Sequence, residues 1–254
     1  MDLNIKNKKA LITGASAGLG KAIAEALMQE GVHVCVIARN LSKMKEYLSN
    51  YEGENLALEY DLIEENAPTD MVNEMLEKFG IPDIIIHNVG GTLDISDPFC
   101  SIDDWRKVYR FNIEIALEIN QILLPKLQEK KWGRVIHISS IASLENQGPV
   151  TYCSIKAALT AYTRSIGRVV SSDGVSVSAV LPGAVYTEGG YWDYTSKNRP
   201  EHVAKYLDER MAIKRFGTLE EISKVVAFLS SDYAGFIVGS AIVVDGGQGK
   251  GFAQ

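Results

Sequence analysis

The stretch TYCSIK, residues 151–156, places a tyrosine and a lysine four positions apart at the start of a predicted helix. Residues at this spacing lie on the same face of a helix, so Tyr152 and Lys156 can reach one ligand. A free tyrosine has a pKa of about 10, which is too high for an efficient base at neutral pH. An ammonium group about 4 Å away would contribute ~4 kcal/mol at an effective dielectric constant of about 20, or about three pKa units toward 7. The pair is a candidate proton-transfer site, although the spacing alone also fits an ordinary amphipathic helix.

A glycine-rich segment near the start of the chain could bind a phosphate group. The segment TGASAGLG, residues 13–20, follows the first predicted strand and opens the first predicted helix. Glycine permits a tight turn and the close approach of a ligand, and the free N–H groups at a helix N-terminus favour a diphosphate. The spacing of Gly14, Gly18 and Gly20 differs from the G-x-G-x-x-G fingerprint, so a tight turn without a ligand is the alternative.

The second predicted strand ends without an acidic residue, at Ala38 followed by Arg39. In dinucleotide-binding folds an acid at this point bonds the ribose hydroxyls of NAD, whereas an arginine accommodates the 2′-phosphate of NADP. Arginine is always charged and binds phosphate well. The sequence therefore favours NADP(H) over NAD(H), with a solvated surface arginine as the alternative reading.

Short apolar runs alternate with helical patterns along the whole chain. The predicted strands are 9–13, 32–38, 55–60, 83–88, 134–140, 175–181 and 240–245, and the predicted helices lie near 19–30, 41–50, 65–79, 103–130, 152–170 and 219–230. The strand runs are mostly apolar rather than alternating, as expected for parallel strands covered on both faces. The pattern predicts a single α/β domain over residues 1–254: a Rossmann-type, doubly wound parallel sheet of about seven strands with helices on both faces.

Two stretches interrupt this rhythm, at 90–104 and 187–202. Both are long for connections in a compact domain, and such loops are often binding loops or lids. We expect a substrate loop at about 187–214. Its aromatic residues Tyr191, Trp192 and Tyr194 could line a pocket or could pack the loop against the domain.

Composition narrows the functional classes. The 254 residues are 46% hydrophobic with a net charge of −6, which gives no reason to expect binding to nucleic acid or to a membrane surface. No apolar run reaches the length of a membrane span, and the first residues do not resemble a signal peptide. Three scattered cysteines and four scattered histidines predict neither disulfides nor a metal site. The cytoplasm is the expected location.

These motifs together resemble the short-chain dehydrogenase/reductase family over nearly the whole chain. The matching pieces occur in the family's order: TGASAGLG, Asp61-Leu62, HNVG at 87–90, Asn112, ISS at 138–140, YCSIK at 152–156, PGAVYT at 182–187 and VVDGG near the end. The resemblance implies that Tyr152 is the acid/base and that Ser140 donates a hydrogen bond to the substrate oxygen. Lys156 would bond the nicotinamide ribose, and Asn112 would belong to a proton relay.

The resemblance, together with the reading of Arg39, also implies a cofactor-binding set. Its members are Gly14, Ser16, Gly18, Leu19, Gly20, Arg39, Asp61, Leu62, Asn88, Gly90, Tyr152, Lys156, Pro182, Gly183, Val185 and Thr187. In the family the glycine loop holds the diphosphate, and the aspartate–leucine pair meets the adenine. The asparagine and glycine after the fourth strand flank the adenosine ribose, and the valine and threonine after the sixth strand bind the nicotinamide carboxamide.

The sequence departs from the family pattern at His87 and Val89, where asparagine and alanine are usual. The serine is also ambiguous, because the usual gap to the tyrosine selects Ser139 while the position at the strand end selects Ser140. Neighbouring side chains on a strand point to opposite faces, so only one of the two can face the site. We expect this to be Ser140.

The implied activity is NADP(H)-dependent hydride transfer between the nicotinamide and a small carbonyl or alcohol substrate. One alternative is a 3-oxoacyl-(acyl carrier protein) reductase, which Lys131 supports weakly as a basic residue for the carrier and Asp173 opposes. Another is a non-catalytic NADP(H)-binding regulator. The resemblance further implies a homotetramer, or a dimer, in which helices 103–130 and 152–170 pair across an interface.

Overall fold

Seven parallel strands form one sheet in the computed structural model, which describes residues 2–251. The strands are β1 (Lys9–Thr13), β2 (His33–Ala38), β3 (Leu56–Glu59), β4 (Ile84–His87), β5 (Gly133–Ile138), β6 (Val175–Pro182) and β7 (Ala241–Val244). Their order across the sheet is β3-β2-β1-β4-β5-β6-β7, and all neighbouring pairs are parallel. The predicted doubly wound sheet is confirmed, with strand ends that agree to within about two residues.

Nine α-helices lie in the described part of the chain. They are α1 (Gly18–Gln29), α2 (Leu41–Leu48), α3 (Ala67–Lys78), α4 (Ile102–Tyr109), α5 (Ile115–Lys130), α6 (Val150–Val170), α7 (Tyr191–Asn198), α8 (Pro200–Arg210) and α9 (Leu219–Leu229). A π-helical turn, Arg110–Glu114, joins α4 to α5, so the predicted helix 103–130 is continuous but carries a bulge. Within residues 2–251, no helix has both the length and the apolar character needed to span a bilayer.

The prediction of a loop across 187–202 is wrong, because α7 and the first residues of α8 form in this region. These helices lack the one-sided apolar stripe by which a helix is recognised in a sequence. In α8 only Val203 is buried, and Pro200 at its first position separates it from α7. The earlier interruption, at 90–104, does lack regular structure as far as Ser101, whose side chain accepts the N–H of Asp104 and caps α4.

The core lies on both faces of the sheet. Ala10 and Ile12 of β1 pack with α1, α2 and α9, while Leu11 between them packs with α3 and α5 on the opposite face. This follows from the alternation of side chains along a strand. Burial on both faces explains why these strands are uninterrupted apolar runs.

The topology brings the candidate site residues to one edge of the sheet. All seven strands run in the same direction, so the segments that follow them meet at the carboxyl edge. The glycine loop follows β1, Arg39 follows β2, Asn88 follows β4, Ser140 lies just beyond β5 and Gly183 follows β6. This edge is where an open α/β sheet is expected to bind its ligand.

Gly174, which precedes β6, offers a test of the backbone at the opposite edge. Its φ is +79°, and a Cβ placed on it would lie 2.2 Å from the carbonyl oxygen of Lys131. Gly189 has a similar φ of +71° but nothing within 4 Å of a Cβ. We expect Gly174→Ala to lower the free energy of unfolding by more than 2 kcal/mol, and Gly189→Ala by only about 1 kcal/mol for its backbone conformation. Urea denaturation of both variants measures the difference, and equal losses would contradict the steric argument.

Candidate active site

The glycine loop crosses the carboxyl end of β1 and leads directly into α1. Gly14 and Gly18 have φ values of +67° and +55°, which favour glycine. Gly20 has no room for a side chain, because a Cβ there would lie 2.3 Å from the carbonyl oxygen of Gly14. The Asn88 side-chain amide donates to the carbonyls of Thr13 and Gly14, at 3.2 and 3.1 Å. An asparagine that follows β4 therefore fixes the shape of the loop.

A cavity of about 320 Å³ lies beside this loop. Its walls include Gly14, Ser16, Arg39, Asp61, Leu62, Asn88 and Gly90, all predicted to bind the cofactor. The Arg39 guanidinium lies 3.8 Å from the Asp61 carboxylate, and its side chain is 77% exposed. Arg39 is therefore free to meet a further anionic group.

The residues around this cavity fit an adenine dinucleotide phosphate. Among the described residues, no hydrogen-bond acceptor pairs with the backbone N–H groups of residues 16–20, at the start of α1. Such groups bind a diphosphate well, and Leu19 belongs to this first turn. Arg39 supplies a cation at the position where a 2′-phosphate is held in this type of fold.

The segment after β6 reaches back to the glycine loop. The N–H of Gly183, next to Pro182, donates to the carbonyl of Val244 at 3.1 Å, and Val185 forms a β-bridge with Gly217. Thr187 lies against the glycine loop, because a Cβ on Gly18 would be 3.2 Å from the Thr187 methyl group. The predicted residues of this segment thus form one continuous wall.

Lys156 is buried beneath the cleft. Its ammonium donates to the carbonyl of Ile138 at 2.9 Å and lies 5.7 Å from the centre of the Tyr152 ring. A Cβ on Gly90 would lie 2.9 Å from the ammonium, so only glycine allows this approach. Burial lowers the pKa of Lys156 to about 8. Tyr152 and Lys156 share one face of α6, as their spacing predicts.

The pKa of Tyr152 shifts in the direction opposite to the one expected from the sequence. Burial raises the pKa of Tyr152, and a hydrogen bond with Ser140 opposes the rise only in part. The expectation that Lys156 lowers the pKa toward 7 is wrong for this structure. The main cause is burial, which disfavours the charged phenolate, while the Lys156 ammonium donates to the Ile138 carbonyl.

Ser139 and Ser140 face opposite sides, and only Ser140 faces Tyr152. The Ser139 hydroxyl is buried, donates to the carbonyl of Lys156 at 3.2 Å and lies 2.9 Å from the Thr160 hydroxyl. The Ser140 side chain accepts the N–H of Ala142 at 3.1 Å, opposes the rise in the pKa of Tyr152 and lines the larger cleft described below. Ser139 therefore attaches β5 to α6, while Ser140 stands beside the phenol.

Asn112 lies in the π-turn and holds the chain that follows β4. Its side-chain oxygen accepts the N–H of Gly91 at 2.9 Å, and its amide donates to the carbonyls of Gly91 and Val108 at 2.8 and 2.9 Å. A Cβ on Gly90 would lie 2.7 Å from the Asn112 oxygen. Asn112 thus fixes the glycine pair that lies against Lys156.

A second, larger cleft of about 980 Å³ opens beside Ser140. Helices α7 and α8 cover it, and its wall includes Tyr191, Trp192 and Tyr206. The Trp192 ring packs at 4.3 Å from Tyr206 and at 4.6 Å from Phe216. The loop aromatics were expected either to line a pocket or to pack the loop against the domain. Tyr191 and Trp192 line the cleft, whereas Tyr194 is exposed and lies outside the cleft wall.

Two residues that hold these helices were not identified from the sequence. Buried Gln248 donates to the Tyr206 hydroxyl at 2.6 Å and accepts the N–H of Ala184 at 2.7 Å. Asp193 accepts from the Tyr186 hydroxyl at 2.6 Å and pairs with Lys197 at 2.8 Å. The Asp193–Lys197 spacing of four is a visible helix signal, but nothing local marks Gln248.

Comparison with known proteins agrees with this geometry. A family model described as enoyl-(acyl carrier protein) reductase matches residues 14–248, which contain every predicted site residue. The chain belongs to the short-chain dehydrogenase/reductase family. The 3-oxoacyl-[acyl-carrier-protein] reductase of Aquifex aeolicus is 32% identical over 253 residues, 98% of this chain and 100% of that protein. This short-chain dehydrogenase/reductase is therefore an NAD(P)-dependent oxidoreductase acting on C=O or CH–OH groups, and the enzyme interpretation is confirmed over the regulator.

Solved structures of other short-chain dehydrogenases/reductases superimpose on the whole chain. L-sorbose reductase from Gluconobacter frateurii, complexed with NADPH and L-sorbose, matches with a TM-score of 0.92 and 28% identity, over 99% of this chain and 100% of that one. A 3-oxoacyl (acyl-carrier-protein) reductase from Agrobacterium tumefaciens with NADP bound matches at 0.89 and 28% identity, over 97% of this chain and 96% of that one.

The burial of Lys156 generates a stability prediction. A pKa lowered from 10.5 to about 8 means that the charged form costs the folded state about 3 kcal/mol. Below pH 8 this cost is present in full, and it fades as the pH rises from 8 to 10.5, where the folded protein loses the proton first. We expect Lys156→Met to raise the free energy of unfolding near neutral pH, with a gain that shrinks across this interval.

Denaturant titrations at several pH values measure this effect. Lys205→Met is the matched control, because the Lys205 side chain is 71% exposed and should give no such gain. A gain for Lys156→Met that stays constant from pH 7 to pH 10 would contradict the proposed cause.

Proposed function

We propose that the protein is an NADP(H)-dependent reductase in which Tyr152 is the general acid/base for a small carbonyl or alcohol substrate. One observation carries this proposal: Ser140, which opposes the rise in the pKa of the Tyr152 phenol, lines a 980 Å³ cleft, and the buried Lys156 ammonium lies 5.7 Å from the centre of the Tyr152 ring. The wall is formed largely by polar and aromatic side chains, which suits a small polar substrate.

The cofactor role is assigned to residues whose geometry fits the dinucleotide. The glycine loop, with Ser16 and Leu19, would hold the diphosphate, and Arg39 would meet the 2′-phosphate. The remaining contacts are assigned to Asp61, Leu62, Asn88, Gly90, Lys156, Pro182, Gly183, Val185 and Thr187. When bound, the dinucleotide supplies or accepts the hydride. The NADPH and NADP complexes of the two similar structures support the preference for NADP(H).

The protonation states suit Tyr152 as an acid. Because burial raises the pKa of the phenol, Tyr152 is protonated at neutral pH and can give its proton to a carbonyl oxygen. Lys156, with a pKa of about 8, is charged at that pH and places a cation 5.7 Å from the centre of the Tyr152 ring. Ser140 donates to the same substrate oxygen, as a donor in an oxyanion hole does. Asn112 holds the backbone against Lys156.

Removing the phenol hydroxyl tests the catalytic assignment. We expect Tyr152→Phe to lower kcat by about 10²-fold or more, because the general acid is lost, and to leave NADPH binding nearly unchanged. Steady-state kinetics and a nicotinamide fluorescence titration measure the two effects. Tyr233→Phe, at an exposed tyrosine far along the chain, serves as the control and should behave as the wild type. Retained turnover in Tyr152→Phe would refute the assignment.

Removing the Arg39 cation tests the cofactor preference. We expect Arg39→Ala to weaken NADPH binding at least about tenfold, because a hydrogen bond between charged groups is lost, and to leave NADH binding almost unchanged. Parallel fluorescence titrations with both cofactors measure the ratio. Arg106→Ala is the control, since the Arg106 side chain is 75% exposed and pairs with Asp103 instead. Equal losses for NADPH and NADH would contradict the phosphate-binding role.

A 3-oxoacyl-(acyl carrier protein) reductase is the second candidate, favoured by the 32% identity to the Aquifex aeolicus enzyme. The structure removes one argument for it. Lys131 precedes β5, at the amino edge of the sheet, whereas Ser140 follows the carboxyl end about 20 Å away. Lys131 is also paired with Asp173 at 2.6 Å. Comparing kcat/KM for a 3-oxoacyl carrier thioester with that for a free hydroxyketone separates the two candidates.

The assembly and the location are proposals as well. Exposed apolar side chains at Ile102 on α4 and Val169 on α6 support pairing of these helices between copies of the chain, and the fully exposed Phe236 before β7 suits a second interface. We propose a homotetramer, or a dimer, in the cytoplasm. Light scattering of the purified protein measures the assembly.

A further inference from the structure

A chain of buried polar groups crosses the centre of the protein next to the π-turn. His87 of β4 and His137 of β5 occupy paired positions in the sheet, and their rings stack at 4.9 Å. The Asn120 side chain of α5 lies between them, 2.8 Å from His87 Nε2 and 3.2 Å from His137 Nε2, and also donates to the Tyr162 hydroxyl at 3.2 Å. Both histidines are buried.

The Thr163 hydroxyl, at one end of this chain of polar groups, fixes the direction of the hydrogen bonds along it. The Thr163 hydroxyl donates its single proton to the carbonyl of Leu159 at 2.8 Å, so it must accept from His137 Nδ1 at 2.9 Å. Burial lowers the pKa of His137, which is therefore neutral, and its Nε2 is an acceptor. Asn120 must then turn its amide group to His137 and its oxygen to His87.

This order fixes the tautomer of His87. The ring donates from Nε2 to the Asn120 oxygen, and burial lowers its pKa to about 4, so it carries one proton only. Its Nδ1 is consequently a hydrogen-bond acceptor. Within residues 2–251 this buried atom has no partner. An unpaired buried acceptor costs free energy, which is why such groups normally find a donor.

A small cavity lies beside this ring. It measures about 10 Å³, and its wall includes Thr13, His87, Phe111, Asn112 and Leu159. This is close to the volume that one water molecule needs, and too small for any larger ligand. A water also needs at least two polar partners, so a second one must be present in the wall.

The π-turn supplies that second partner. The N–H of Ile115 donates to the carbonyl of Arg110, five residues back, instead of to the carbonyl of Phe111. A π-turn holds one extra residue, so we expect one of its carbonyls to lack its usual helical donor. Phe111 and Asn112 of this turn both line the cavity. A water has two protons and can donate to His87 Nδ1 and to this carbonyl together.

We propose that the cavity is the binding site of one structural water that links His87 of β4 to the π-turn, and that His87 is a positioning residue for Asn112. The water holds the turn at the spacing at which the Asn112 side chain grips Gly91. The water site itself does not depend on the proposed function. The positioning part rests on the proposed function, since Asn112 adjoins Lys156 in the proposed catalytic set.

The water itself is tested without any assay of activity. A crystal structure at better than about 1.5 Å resolution should show one ordered water within hydrogen-bond distance of His87 Nδ1. Nitrogen NMR of labelled imidazoles, assigned with His87→Asn, should show His87 protonated on Nε2 with a hydrogen-bonded Nδ1. A cavity without solvent density, or an Nδ1-protonated ring, would overturn the proposal.

The positioning role is tested with two substitutions at the same site. His87→Leu removes the acceptor, and we expect it to lower kcat several-fold while the KM and the NADPH affinity stay within twofold. His87→Gln restores a side-chain acceptor and should recover part of kcat. His33→Leu is the control. His33 is the first residue of β2, and its ring accepts the N–H of Glu54, far from Asn112. The kcat of this variant should not change.

The outcomes separate this inference from the proposed function. If His87→Leu loses thermal stability but keeps kcat, the positioning role is wrong, even where the water is seen. If Tyr152→Phe retains turnover, the proposed chemistry fails, while the crystallographic and NMR results still decide the water site.

Discussion

The burial of the Lys156 ammonium is the constraint around which the rest of the site is arranged. An amine that has left water needs close partners, and here it has the Ile138 carbonyl and the face of the Tyr152 ring. The chain that follows β4 can approach this amine only with glycine at position 90, and Asn112 binds the next residue, Gly91. The folded state bears the cost of this buried charge, to which the proposed function gives a role in the reaction, and such conflicts between stability and activity are common.

The two neighbouring serines at the end of β5 position two different groups, the Lys156 backbone and the Tyr152 phenol. Ser139 binds the backbone of α6 at Lys156 and so fixes the depth of the lysine below the cleft. Ser140, one residue further, turns to the other side and meets the phenol. Alternation along extended backbone gives each serine a separate task without any added element. The position of the lysine and the position of the hydroxyl are therefore coupled through a single peptide unit.

Much of this arrangement could be predicted because it depends on local patterns. Apolar runs predicted the strands. Alternation at the end of β5 indicated that only one of the two serines faces the site, and the position at the strand end favoured Ser140. The helices α7 and α8 could not be recognised, since they bury too few apolar residues to leave a periodic stripe. The rise in the pKa of Tyr152 depends on how an ammonium is oriented, which spacing does not specify. Gln248 acts on Tyr206 and Ala184, far away in sequence, so no local signal could identify it.

The position of Gln248 late in the chain determines when the cleft can form during synthesis. The glycine loop, α6 and the helices over the cleft are all translated before Gln248, and the ribosome delivers them in that order. Helix α8 and the segment after β6 are joined through the Gln248 side chain, and Glu145, beside the cleft, receives the N–H groups of Lys250 and Gly251. The contacts of Asp193 with Tyr186 and of Trp192 with Phe216 can therefore form before the contacts of Gln248, Lys250 and Gly251. The cleft is complete only once the chain that follows β7 has been made and has folded back onto it.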